Sequence, residues 1–144
     1  MNDLLSIPTV QVYAVCAALL VLKMWLTGTA TGITRVLRKS YVSDEDYRLT
    51  GHEDRGPNPL VERLRRIHAN DLESILPFLV IAFLYALTEP GYALAWWLFT
   101  GFTVARIAHT GAYLTSLQPW RSLFFEVGNL ILLALIVLLL AAVA

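Results

Sequence analysis

Four apolar stretches alternate with polar connections along the chain. They run from about Ile7 to Thr34, Leu72 to Leu87, Tyr92 to Leu117 and Leu123 to Val143. A helix needs about 20 residues to cross the hydrocarbon core of a bilayer. The first, third and fourth stretches reach that length alone. The second reaches it only if its helix begins earlier, inside the charged segment "ERLRRIHANDLE" (62–73). Pro59 is a good first residue for such a helix, and no glycine or proline follows it until Pro77. The charged segment is therefore predicted to form the first turns of a membrane helix rather than a loop. Pro77 lies within that helix, where neighbouring helices can satisfy the carbonyl it frees. "TEPG" (88–91) and "SLQP" (116–119) are predicted turns. The pattern predicts an all-α fold, an integral membrane four-helix bundle. It forms one domain over 1–144, with helices about 7–37, 60–88, 92–116 and 119–143 and a polar loop about 38–59.

Composition strengthens this reading. The chain is 57% hydrophobic and 15% charged, whereas soluble domains are about 25% charged. Net charge is zero, so no overall basic field draws the protein to nucleic acid. Cys16 is the only cysteine, which rules out a disulfide within the chain. The first apolar run is too long for a signal-peptide core and lacks basic residues before it, so it is expected to be retained.

Charge is segregated. Arg35, Arg38, Lys39, Arg48, Arg55, Arg63, Arg65 and Arg66 flank the first connection, and neither terminus carries a lysine or arginine. The positive-inside rule puts that connection in the cytoplasm and both termini on the other side. Trp96 and Trp97 then fit an outer aromatic belt and Trp120 an inner one.

Charges within membrane helices cost about 2.5–3.5 kcal/mol each on insertion scales and mark functional positions by default. Helical periodicity sorts them. Arg66, Asn70 and Glu73 share one stripe of the second helix, and Arg106, His109 and Tyr113 one stripe of the third. Arg35 and Arg38 end the first helix, and Arg121 and Ser122 open the fourth. Topology brings all four groups to the cytoplasmic leaflet. They are expected to line a polar pocket suited to a small ligand with more than one carboxylate and an amine.

Other polar residues have plainer readings. Arg63 and Arg65 lie off the Arg66 stripe and are expected at lipid headgroups. Glu62 and Arg66 have the spacing of an i, i+4 pair. Lys23 either snorkels or pairs inside the bundle. His52 suits a solvated loop, His68 an orienting hydrogen bond, and Glu126 an interhelical ion pair. Three scattered histidines do not make a metal site. The chain carries no HExxH, CxxC, phosphate-binding loop or dinucleotide fingerprint.

The segments "ERLRRIHANDLESILPFL", "ARIAHTGAYL", "QPWRSLFF" and "KMWLTGTATGITRVLRKSYVSDED" together resemble the membrane-associated proteins in eicosanoid and glutathione metabolism. The resemblance spans nearly the whole chain, in order and with similar spacing. Two branches of that family fit. "TAT" (29–31), "AYLT" (112–115) and Gln118-Pro119 with Arg121 look like the microsomal glutathione transferase 1 type. Ala69 and Phe125 stand where the microsomal prostaglandin E synthase type has arginine and tyrosine, which weakens that reading. Ser122 leans towards it.

The resemblance implies a homotrimer that binds glutathione between subunits, without a metal. It implies glutathione contacts at Arg35, Arg66, Asn70, Glu73, His109, Tyr113 and Arg121, most of them already selected by periodicity. It also implies catalytic roles for Arg121 and Ser122, with Asp46 matching an aspartate of the synthase branch. The expected activity is a glutathione transferase of detoxification, joining the thiolate to apolar electrophiles from the bilayer, with reduction of lipid hydroperoxides as a further activity. Alternatives are a glutathione-dependent prostaglandin isomerase and a non-catalytic lipid-binding protein of the same fold. The site is expected to face the cytoplasm, in either a bacterial inner membrane or the endoplasmic reticulum.

Overall fold

The computed structural model describes residues 4–41, 45–46, 48, 51 and 56–144. A short 3-10 turn, Leu4–Ser6, leads into four α-helices: α1 Pro8–Arg38, α2 Pro59–Leu87, α3 Tyr92–Leu114 and α4 Trp120–Val143. No strand occurs among the described residues. The polar connection after α1 is described only in part; His52 and Arg55 lie outside the described residues.

The start of α2 follows from local chemistry. The Asn58 side-chain oxygen accepts from the backbone N–H groups of Leu60 at 3.0 Å and Val61 at 3.4 Å. Pro59, which has no N–H to satisfy, takes the first helical position. The charged segment is thus continuous with the apolar one, and α2 reaches 29 residues.

Helices α1, α2 and α4 are long and apolar enough to cross a membrane. At 23 residues α3 reaches the expected spanning length, though it is not among the three helices that also meet the apolarity of a membrane span. Its Thr103, Arg106 and His109 are buried between helices. The outside of the bundle is apolar instead, with Leu22, Trp25, Val80, Trp97, Leu130, Leu133 and Val137 exposed. This is the arrangement a lipid solvent favours, with polar groups satisfied inside.

The half of the bundle near the α2–α3 turn is filled by rings and aliphatic chains. Phe78 stacks on Phe102 with ring centroids 4.0 Å apart, and Phe99 meets Phe78 edge-on at 6.2 Å. Cys16, Leu20, Ile75, Ala82, Ala95 and Leu135 close this core. Two hydroxyls of α1 tie it to backbone carbonyls of α2: Tyr13 donates to Leu79 at 2.9 Å and Thr9 to Ala86 at 3.2 Å. Further along, α1 and α2 approach closely at Gly28. A Cβ there would lie 3.3 Å from the His68 ring.

Candidate functional site

The other half of the bundle is polar. Two clefts open there and share Tyr113 and Arg121. The first, of about 530 Å³, is bordered by Asn58, Glu62, Arg66, Ser116 and Gln118 as well as the shared pair. The second, of about 260 Å³, adds Asn70, His109, Ser122, Phe125 and Glu126.

Arg121 is fixed from three directions. Its guanidinium lies over the Tyr113 ring at 4.7 Å, a cation–π contact. With its amide oxygen turned towards the guanidinium, Gln118 accepts from Nε at 3.1 Å. The Arg121 backbone carbonyl accepts from His109 Nδ1–H at 3.0 Å. That bond sets the tautomer of a neutral His109 and leaves Nε2 as an acceptor. His109 Nε2 is buried and has no partner among the described residues. Arg121 itself makes no ion pair with a described carboxylate, so its charge is available to a ligand.

Arg66 is likewise free of an ion pair among the described residues. Glu62 pairs with Arg65 at 3.0 Å, not with Arg66 as its spacing suggested. Arg63 has a partner within the protein. Its Nη1 donates to the Leu114 carbonyl at 2.9 Å, joining the start of α2 to the end of α3. Such a bond satisfies one of the carbonyls a helix end leaves open.

Of the residues singled out from the sequence, Arg66, Asn70, His109, Tyr113, Arg121 and Ser122 line the two clefts. Arg35, Asp46 and Glu73 line neither. Arg35 Nη2 donates to Asp46 Oδ2 at 2.7 Å, so these two form an ion pair with each other. Glu73 is exposed on α2. Glu126 borders the second cleft and makes no ion pair with a described residue. His68 packs its ring on Gly28, and its Nδ1 has no hydrogen-bond partner among the described residues. Its expected orienting bond is absent there.

Behind the second cleft lies a cluster in which Lys23 pairs inside the bundle, one of its two expected readings, with Asp71, which sequence reasoning missed. Lys23 of α1 donates to Asp71 of α2, and Arg106 Nη2 of α3 donates to the same carboxylate oxygen at 3.2 Å. Arg106 Nη2 also donates to the Asn70 carbonyl at 3.2 Å. Asp71 and Arg106 are 0% exposed. The signal for Asp71 was available: Lys23, Asp71 and Arg106 all sit near mid-helix, where a lone charge needs a partner. The site stripe drew attention to Asn70 and Glu73 instead. Among the described residues, no group of His, Cys, Asp and Glu could hold a metal ion.

The MAPEG family model matches residues 13–141. The chain belongs to the MAPEG family. Among its relatives, human microsomal glutathione S-transferase 1 is 44% identical over 122 residues, covering 81% of this chain and 79% of the relative. The pig protein of that name is 40% identical over 134 residues, covering 89% and 86%. Human prostaglandin E synthase is 38% identical over 128 residues, covering 88% and 84%. This MAPEG protein is therefore similar to members with two different activities. Its membership of the family and its three helices long and apolar enough to cross a membrane hold for either.

Proposed function

We propose that the protein is a membrane glutathione transferase. The observation that carries this reading is Arg121: a guanidinium held over Tyr113, shared by both clefts and free of a described carboxylate. Glutathione has two carboxylates, an amine and a thiol. The first cleft lies within the range of about 300–1,000 Å³ usual for small-ligand sites, and Arg66 and Arg121 there match the carboxylates. The second cleft brings Arg121 and Ser122 together with apolar Phe125.

In this reading Arg121 favours the thiolate by its charge, each pKa unit being worth about 1.4 kcal/mol, and the Ser122 hydroxyl donates to the sulfur. The proton of the thiol leaves to water. The thiolate then attacks the electrophilic carbon of an apolar substrate from the bilayer. A C–S bond forms, and a halide, for an aryl halide, departs with its electron pair. With a lipid hydroperoxide, two glutathione molecules give the disulfide, the alcohol and water. Asn70, His109 and Tyr113 shape the pocket. Arg35, Asp46 and Glu73 join it in a homotrimer, from a neighbouring copy, with the site towards the cytoplasm.

Ser122 beside Arg121, together with the relatedness to human prostaglandin E synthase, supports a second reading, isomerisation of an endoperoxide with glutathione as cofactor. Turnover of the purified protein on an aryl halide and on a prostaglandin endoperoxide separates the two. The transferase reading predicts conjugate from the halide. No conjugate, with isomerised endoperoxide, overturns it.

A further inference from the structure

The Lys23–Asp71–Arg106 cluster lies in neither cleft, yet it supports one of them from behind. Arg106 Nη2 bridges Asp71 Oδ1 and the carbonyl of Asn70, a residue of the second cleft. One helical turn further along α3, His109 faces the same cleft and holds the Arg121 carbonyl. The Arg106 guanidinium lies 5.9 Å from the ring of Phe125, another wall residue. Gly128 of α4 packs against its stem, and a Cβ there would lie in ordinary contact, 3.5 Å from Arg106 Cδ.

The charge count is uneven. Arg106 and Asp71 alone would be a neutral buried pair. Lys23, whose side chain is 12% exposed, adds a second cation to the same carboxylate oxygen. Arg106 Nε and Nη1 have no hydrogen-bond partner among the described residues. The formal sum is one positive charge in a low-dielectric interior, where charge acts over longer distances than in water. The other charged and titratable groups at the second cleft are His109 and Tyr113 on α3 and Arg121 and Glu126 on α4. Glu62, Arg63 and Arg66 of α2 border the first.

We propose that Lys23, Asp71 and Arg106 form a positioning unit for the glutathione site, holding the Asn70–His109 wall and supplying one uncompensated positive charge that favours the thiolate. This rests on the glutathione reading above. Lys23 is the member that makes the unit more than a structural pin. The neutral Asp71–Arg106 pair would still hold the wall through the Asn70 carbonyl without Lys23.

The test is a pH titration of thiolate absorbance in the glutathione-loaded full-length protein, in detergent. It compares the unsubstituted chain with Lys23→Met and Lys23→Arg. Lys23→Met keeps the stem and leaves the neutral Asp71–Arg106 pair. Lys23→Arg keeps the charge, and the apolar groove beside Lys23, about 380 Å³ and bordered by Leu19, Leu26 and Ile107, has room for it. A unit charge about 10 Å away at an effective dielectric of about 20 corresponds to roughly one pH unit. The expected result is a midpoint raised by about that much in Lys23→Met and restored in Lys23→Arg.

An unchanged midpoint in folded Lys23→Met overturns the proposal. If that variant does not fold, Lys23→Gln, which still donates to Asp71 without charge, takes its place under the same criterion. Loss of fold in both, with rescue by arginine, assigns Lys23 a structural role only and also overturns it. Failure of the unsubstituted protein to bind glutathione instead defeats the functional reading on which the proposal depends.

Discussion

The two halves of the bundle use the same four helices in opposite ways. Towards the α2–α3 turn, Phe78, Phe99 and Phe102 interlock, and the helices are held by shape. Towards the α3–α4 turn, Asp71, Arg106, His109 and Arg63 are held by named partners, three of which are the backbone carbonyls of Asn70, Leu114 and Arg121. Lipid is as apolar as the aromatic core, so helix association there rests on close packing rather than on escape from water. In the polar half, removing Asp71 leaves two cations without their carboxylate. The comparison teaches where sequence change is tolerated: volume decides in one half and charge in the other.

The largest effect is expected from Asp71→Ala, which strands two buried cations. Breaking a buried ion pair costs about 3–5 kcal/mol, read as lost thermal stability of the helical circular dichroism in detergent. Stability unchanged by this substitution would erase the contrast between the halves. Arg121→Ala comes next. It is expected to leave the fold intact and to lower turnover about a hundredfold, the effect of removing one donor to a developing or stabilised anion. A variant with normal turnover would mean that the thiolate is activated elsewhere.

Phe78→Leu should cost about 1–2 kcal/mol, since lost packing is partly recovered by a smaller apolar chain. It should leave glutathione affinity unchanged, because Phe78 is in the other half. Arg63→Ala should cost about 1 kcal/mol through the lost bond to the Leu114 carbonyl, with a matching small loss of order at the α3–α4 turn in hydrogen exchange. Arg65→Ala removes only an exposed pair with Glu62 and should change stability by less than about 0.5 kcal/mol. A larger loss there would show that the α2 entrance is more tightly bound than its exposure suggests.

Much of this was legible in the sequence. The apolar periods foretold four helices, and Pro59 marked where α2 begins. The i, i+4 and i, i+7 spacings brought Arg66, Asn70, His109 and Tyr113 to one end, and the turn at 116–119 brought Arg121 to them. What escaped were choices between partners. Glu62 has Arg65 and Arg66 both within reach, and only side-chain packing decides for Arg65. Arg35 had the right depth for the clefts, but its partner Asp46 follows in a connection whose path no periodicity encodes. Asp71 was hidden by its own helix: it sits on the face opposite lipid, off the stripe that draws attention.

The most direct test of the central claim is glutathione binding to the detergent-purified protein. Calorimetry would be run beside ultraviolet absorbance of the thiolate, with Arg121→Ala as the control. The account predicts binding with a thiolate signal that the variant loses. No binding at millimolar glutathione would contradict it and would leave a lipid-binding member of the same fold.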